Sequence, residues 1–264
     1  ANCGSTAGLL MGLQHQDGHS LLLASAIPNC VSYDPAYGYE LAIIIRDGLR
    51  RMFSDRENIY YYITVMNENY AHPAIPEETE TGILKGMYRI RTAHRGRKAT
   101  PRVQLLGSGS ILRESLAAAD LLEEDFGVQA DVWSVTSMNE LSREGRDVER
   151  WNMLHPEEEQ KRSYVEQCLA DEKGPVVAAT DYVNSYAEQI RAFIPQRYTV
   201  LGTDGFGRSG TRSQLREFFE VNRFYISLAA LKALAEESAV PSSTVSDAIS
   251  KYGIDPARPN PIQA

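Results

Sequence analysis

The stretch RVQLLGSGSILRESLAAADLLEEDFGVQADVWSV, residues 102–135, decides the fold class. RVQLLGS is an apolar run of strand length, and ADVWSVTS (residues 130–137) is a second one. Between them, apolar side chains recur at helical spacing, and Gly127 ends the pattern as a helix C-terminal signal; this apolar face consists of Leu112, Leu116, Ala119 and Phe126. A strand, a helix and a strand in this order predict a βαβ crossover between parallel strands.

The same alternation continues toward the C-terminus. The predicted elements are a helix around 157–171, a strand at PVVAATD (175–181), a helix at YVNSYAEQIRAFI (182–194), a strand at YTVLGTD (198–204), and helices over about 212–235 and 242–252. Near-continuous apolar strands are typical of sheets that are covered by helices on both faces. The predicted fold class is therefore α/β, with a mostly parallel sheet flanked by helices.

A separate region precedes this sheet. YELAIIIRDGLRRMF (39–53) has a helical apolar stripe, and NIYYYITVMN (58–67) is aromatic and β-branched, which predicts a strand. AHPAIPEETETG (71–82) holds two prolines and three acidic residues without apolar periodicity. We therefore expect a domain boundary in this segment.

Composition excludes several classes of protein. The 264 residues are 43% hydrophobic and 23% charged, with a net charge of −8, which argues against binding to nucleic acid or to an anionic membrane. Cys3, Cys30 and Cys168 form neither a disulfide framework nor a metal knuckle, so a reduced cytosolic chain is expected. No apolar run approaches the roughly 18 residues of a membrane span. The opening ANCGSTAGLL reads like the interior of a longer protein, so we expect a fragment.

GLQHQDGHS (12–20) places two histidines, His15 and His19, four residues apart. This spacing on a helix allows two histidines to share a zinc ion, with a glutamate beside the first. Here Gln16 occupies the glutamate position, and the Asp17–Gly18 pair favours a turn over a helix. We therefore expect no metal site, and Asp17 is expected to accept backbone N–H groups in an Asx-type turn.

Two further motifs have alternative interpretations. GFGRSG (205–210) matches the glycine pattern of dinucleotide-binding loops, but the sequence after it continues as helix, so a tight glycine turn is favoured. RIRTAHRGRK (89–98) is either a patch for phosphate or a partner, or an ordinary solvated basic loop. The acidic background favours the solvated loop.

Seven segments together resemble the homodimeric bacterial pyruvate dehydrogenase component, a thiamine-diphosphate-dependent enzyme. They are LQHQDGHS, IPNCVSYDPAYGYELAIIIRDGL, YYYITVMNENY, VQLLGSGSILRE, VTSMNEL, ERWNMLHP and GTDGFGRS. The resemblance runs from about residue 13 to the C-terminus and implies the last third of a longer protein. It implies that residues 1–75 end a pyrimidine-binding domain, 76–82 form a linker, and 83–264 form a transketolase-type C-terminal domain.

The resemblance also implies an activity. Such an enzyme decarboxylates pyruvate and reductively acetylates the lipoyl group of its partner, dihydrolipoyl acetyltransferase, using thiamine diphosphate and magnesium. The residue at the place of His15 lines the active-site channel, where a histidine can hydrogen-bond the substrate carboxylate or a developing alkoxide. His19 is expected only to order the loop.

The resemblance places the main cofactor and metal ligands outside this segment, so we expect the 264 residues alone to be inactive. Three alternatives stay open: a dimerisation or interaction module without catalysis, a related 2-oxobutyrate dehydrogenase component, and, more weakly, a nicotinamide-dependent oxidoreductase based on GFGRSG.

Overall fold

The computed structural model describes residues 16–93 and 100–264. The first part, up to residue 63, consists of helix α1 (Ser20–Ser25), strand β1 (Cys30–Tyr33), helix α2 (Gly38–Leu49) and strand β2 (Tyr60–Ile63). The two strands pair in parallel, with Cys30 opposite Tyr60. Helix α2 is extended by one π-helical turn, Arg50–Ser54, so the predicted helix over 39–53 and the predicted strand over 58–67 are both confirmed.

The larger sheet has five strands in the order β3-β5-β4-β6-β7. The strands are β3 (Met87–Arg91), β4 (Arg102–Gly107), β5 (Gln129–Val135), β6 (Val176–Ala179) and β7 (Tyr198–Leu201). Strand β3 is antiparallel to β5, and the other neighbours are parallel. The predicted α/β class with a mostly parallel sheet is therefore confirmed.

Helices cover both faces of this sheet. The remaining helices are α3 (Glu80–Lys85), α4 (Leu112–Phe126), α5 (Met138–Leu154), α6 (Tyr164–Leu169), α7 (Asn184–Glu188), α8 (Arg212–Phe218), α9 (Arg223–Glu236) and α10 (Ser242–Tyr252). One core cluster joins α4 and α9 to strand residues such as Leu105 and Val177. The other joins α5, α6 and α7 to residues such as Leu106 and Ala178. Successive residues along one strand therefore pack into cores on opposite faces of the sheet, because side chains alternate between the two faces.

Three helix predictions need correction. The helix expected around 157–171 exists only as Tyr164–Leu169, because the Ser163 side chain accepts a hydrogen bond from the backbone N–H of Glu166 and begins the helix there. The helix expected over 182–194 is shortened to α7 and a 3₁₀ turn at Arg191–Phe193. The helix expected over 212–235 is two helices, because Glu220 has a positive φ of 60° and Asn222 caps α9.

The segment between the two sheets is mostly irregular and exposed. Residues 71–75 are exposed, and the chain enters α3 at Glu80. The last three residues of the expected linker, 80–82, therefore form the first turn of a helix in which Gly82 and Ile83 are buried. Upstream, the Gly38 backbone N–H donates to Nδ1 of His72 at 2.8 Å, which ties the start of the segment to α2.

Candidate functional site

The carboxyl ends of strands from both sheets meet in one polar junction. Asp34 follows β1, Thr64 follows β2, and Ser108 and Thr180 follow β4 and β6. Between β4 and β6 the chain order of the parallel sheet reverses, and the crevice outside such a reversal is the usual ligand site of open α/β sheets. The Ser108 and Thr180 hydroxyl oxygens lie 3.0 Å apart across this crevice.

Asp34 fills the crevice with a completely buried carboxyl group. Its Oδ1 accepts from the Thr64 hydroxyl at 2.6 Å, and its carbonyl oxygen accepts from the Gly109 N–H at 3.2 Å. Gly109 has a φ of +48°, and a Cβ there would lie 2.6 Å from Asp34 Oδ2. Burial raises the pKa of Asp34 to about 6, so the carboxyl binds a proton far more readily than an exposed aspartate.

A second buried carboxyl group, that of Glu40, ties α2 to the larger sheet. Its Oε2 accepts from the backbone N–H groups of Ala36 and Tyr37 at 2.6 and 2.9 Å. Its Oε1 accepts from the Tyr88 hydroxyl at 2.7 Å and the Ser134 hydroxyl at 2.6 Å. Burial raises the pKa of Glu40, while these four donors favour the ionised form. The group therefore anchors one sheet to the other.

Of the sequence-predicted site, the described chain contains only the residues that follow His15, because His15 itself lies outside the described residues. Asp17 Oδ1 accepts from the N–H groups of His19 and Ser20 at 3.0 and 2.9 Å, so the predicted Asx-type turn is confirmed. Gly18 accepts through its carbonyl oxygen from Val183 N–H at 3.0 Å, in the loop after β6. His19 is exposed at the start of α1.

Gln16 contacts the loop that follows β7. Its Oε1 accepts from the Arg208 N–H at 2.5 Å, and its Nε2 donates to the Arg208 carbonyl oxygen. A Cβ on Gly207 would lie 2.3 Å from Gln16 Oε1, so the approach depends on glycine. The GFGRSG motif thus forms a glycine loop that receives Gln16, and no strand follows it in the described chain up to residue 264.

The sequence reading did not single out Asp34 or Glu40. A usable signal for Asp34 was its place directly after strand β1, at the edge where the carboxyl ends of parallel strands meet. Glu40 is the third residue of α2 and reaches back to the N–H of Tyr37, which is a capping-box position. Neither signal reveals burial, which arises only when the two sheets pack together.

The arginines of RIRTAHRGRK that the structure describes take structural roles. Arg89 lies over the Trp133 ring at 4.5 Å and pairs with Glu172, and Arg91 pairs with Asp120. Both arginines belong to strand β3, and the remaining basic residues of RIRTAHRGRK lie outside the described residues. Among residues 16–93 and 100–264, no three His, Cys, Asp or Glu side chains converge in a way that could hold a metal ion, and no helix is long and apolar enough to cross a membrane.

Comparison with known families matches both parts of the chain. Residues 1–73 match the pyruvate dehydrogenase E1 component middle domain, and residues 86–222 match the transketolase-like TK C-terminal domain. The chain belongs to the transketolase-like C-terminal domain family. This family assignment accounts for the mostly parallel five-stranded sheet and its two helical layers.

Curated relatives support the same assignment. The chain is 57% identical over 263 residues to the pyruvate dehydrogenase E1 component of Cupriavidus necator, covering 98% of this chain and 29% of that protein. It is 58% identical over 264 residues to the E1 component of Pseudomonas aeruginosa, covering 98% and 30%. The resemblance read from the sequence motifs is confirmed, and the chain spans about 30% of the length of these relatives.

Solved structures show the same fold at low identity. A transketolase from Pichia stipitis in complex with sedoheptulose 7-phosphate superposes with a TM-score of 0.62 at 18% identity, covering 90% of this chain and 30% of that one. The transketolase from Leishmania mexicana gives a TM-score of 0.61 at 15% identity, covering 89% and 29%. These neighbours support the transketolase-like architecture.

Proposed function

We propose that this chain is the C-terminal part of a thiamine-diphosphate-dependent pyruvate dehydrogenase E1 component. The whole enzyme would decarboxylate pyruvate and pass the acetyl group to the lipoyl group of dihydrolipoyl acetyltransferase. The observation that carries this proposal is the 57–58% identity to two E1 components across 98% of this chain. Identity of this level spans both the first sheet and the larger sheet, so it is not confined to one module.

The geometry around residues 16–18 supports a site next to His15. Gln16 is held by the loop after β7 and Gly18 by the loop after β6, so the carboxyl edge of the larger sheet secures the chain beside His15. Loops at this edge carry the functional groups of open α/β sheets. A histidine there would hydrogen-bond the substrate carboxylate or the oxygen that gains charge during the reaction.

The described residues do not fit the magnesium that accompanies the cofactor. They contain no cluster of three His, Cys, Asp or Glu side chains that could hold a metal ion. The cofactor and magnesium are therefore proposed for the whole enzyme, and no reaction step is derived through them from this chain. For the same reason, the 264 residues by themselves are proposed to lack pyruvate decarboxylation.

Self-association is part of the proposal. Several large apolar side chains are exposed on the first sheet and its helices, including Leu23 at 69% and Phe53 at 72%. Ile45 and Leu49 on α2 are also exposed, at 45% and 52%. Exposed large apolar side chains often mark protein contacts, which supports a homodimeric E1 component, and we propose that this component is cytoplasmic.

The assignment of His15 is tested in the polypeptide expressed from its complete open reading frame. We expect His15→Ala to lower the rate of carbon dioxide release from pyruvate by roughly 10²–10⁴, the range for losing a positioned proton-transfer group or oxyanion donor. Thiamine diphosphate affinity, measured by calorimetry, should barely change, because its ligands are proposed to lie elsewhere.

His19→Ala is the matched control for this experiment. His19 is exposed and lies four residues further along the chain, so its replacement should cost far less activity. Wild-type turnover in His15→Ala would contradict the assignment, and a larger loss in His19→Ala would reverse the two roles. Faster turnover of 2-oxobutyrate than of pyruvate by the wild type would replace the proposed substrate with its higher homologue.

A further inference from the structure

A pocket of about 470 Å³ lies where the segment after β2 meets α4, α8 and α9. It is distinct from the crevice that Asp34 fills, although Arg216 in its wall donates to the Ser110 hydroxyl at 3.3 Å in the loop after β4. Its walls carry four arginines and two glutamates: Arg113, Arg212, Arg216, Arg223, Glu68 and Glu114. The volume suits a small metabolite.

The charge of this pocket is opposite in sign to that of the whole chain. Among the lining residues, four guanidinium groups face two carboxylates, which gives the walls an excess of two positive charges in a protein with a net charge of −8. Outside the lining, Asp181 and Asp120 add negative charge near Arg216 and Arg223. Guanidinium groups stay charged at every pH that the folded protein tolerates, so this excess is permanent. A concave site with an excess positive charge attracts anions from solution.

The two carboxylates already accept hydrogen bonds from three of the four arginines. Glu114 is buried and accepts from Arg223 Nε at 2.9 Å and from Arg216 Nη1 at 3.4 Å. Glu68 Oε1 accepts from Arg113 Nη1 at 2.9 Å, and its Oε2 accepts from Arg216. These ion pairs fix the positions of three arginines and join the segment after β2 to the larger domain.

Arg212 has donor capacity that these carboxylates do not satisfy. Its Nη2 donates to the carbonyl oxygen and side chain of Asn67 at 3.2 and 2.9 Å. Its Nε is buried but makes no hydrogen bond within the described residues, since Glu68 Oε2 lies 3.9 Å away. A buried charged N–H without an acceptor is costly, so an acceptor from a ligand would stabilise it.

We propose that this pocket binds a small phosphate dianion, with Arg212 and the exposed sides of Arg113 and Arg223 as donors. Arg113 and Arg223 are 39% and 44% exposed, so both can reach a ligand while holding their glutamates. The planar guanidinium fork matches the oxygen geometry of phosphate, and a dianion balances the excess of two charges. This proposal does not depend on the catalytic role of His15.

Calorimetric titration of the full-length protein tests the proposal, with inorganic phosphate and glycerol 3-phosphate as probes and sodium chloride as the ionic-strength control. We expect saturable binding of phosphate, and Arg212→Gln should weaken it at least about tenfold. Arg212→Lys keeps the charge but loses the fork, so an intermediate affinity is expected. Tighter binding of glycerol 3-phosphate would identify an ester as the ligand, and equal or weaker binding would identify free phosphate.

Arg197→Gln is the control variant. It removes the same charge from an exposed arginine that pairs with Glu236 far from the pocket, so phosphate affinity should stay at the wild-type value. Equal weakening in Arg197→Gln and Arg212→Gln would overturn the site, because only long-range charge would then be involved. Absence of saturable binding in the wild type would also overturn it. Thermal unfolding without ligand verifies that each variant is folded.

Discussion

The Asp34 side chain is an ionisable group that is completely buried in the fold. Its pKa is raised from 3.8 to about 6 by burial, against the hydrogen bonds of Thr64 and Ser108, with Glu40 and Asp17 adding negative charge nearby. Because the folded-state pKa exceeds the ordinary value, stability from this group is fully present below pH 3.8 and is lost as the pH rises through 6. The difference amounts to about 3 kcal/mol.

Asp34→Asn should therefore stabilise the protein at neutral pH. The amide keeps the size of the carboxyl and an acceptor for Thr64, but it carries no charge to bury. We expect a gain in unfolding free energy that increases between pH 4.5 and 8 and reaches at most about 3 kcal/mol, measured by urea denaturation. A difference from wild type that is the same at both pH values would show that Asp34 does not titrate in this range.

At the scale of elements, local sequence predicted those helices whose buried face is apolar. Helix α4 and the strands beside it were predicted because Leu112 and Ala119 are buried and recur at helical spacing. Helix α5 was missed. Its sequence, MNELSREGRDVERWNML, is mostly polar, and its buried stripe includes Asn139, Ser142 and Gly145. Met138 and Leu141 lie on the same buried face, so the helix is amphipathic, but its many polar residues made this pattern easy to overlook in the sequence.

The N-cap residue of α5, Ser137, both caps the helix and forms a hydrogen bond to the first sheet. Ser137 Oγ accepts from the Glu140 N–H at 3.0 Å and donates to the Ser32 carbonyl oxygen of β1 at 2.7 Å. Ser137→Ala should cost about 2–3 kcal/mol of unfolding free energy, because it removes a cap and leaves a buried carbonyl without its donor. Chemical denaturation measures this cost.

Ser163→Ala provides the comparison for this prediction. Ser163 is also buried and caps α6 by accepting from the Glu166 N–H at 3.2 Å, but it makes no hydrogen bond to the first sheet. Its replacement should cost only about 1 kcal/mol, the usual value of a cap. Equal costs for the two serines would show that the Ser137 bond to β1 contributes nothing to the junction.

At the scale of the whole molecule, the junction is built from contacts that no local pattern reveals. Asn139 Nδ2 donates to the Leu21 carbonyl oxygen at 2.7 Å and to the Ser32 hydroxyl at 2.6 Å, across more than a hundred residues of sequence. The order of elements predicted the larger sheet, because each crossover is local. The candidate His15 came from family resemblance alone, since a histidine in a polar loop carries no chemical signal of its own.

Limited digestion with a glutamyl endopeptidase tests how the two sheets are joined. Glu77 and Glu78 lie in the exposed segment before α3, and a second exposed acidic loop precedes α6 at residues 157–159. Exposed segments without packed side chains are cut first, so we expect early cleavage at both places.

Cleavage at Glu77 or Glu78 should leave the two parts associated on a sizing column, because Asp34, Glu40 and Ser137 form hydrogen bonds across the junction. Each bond is to a buried partner and is lost only when water replaces it, so the parts should separate in denaturant and not in high salt. Separation in salt alone would mean that surface ion pairs, and not the buried polar junction, hold the two sheets together.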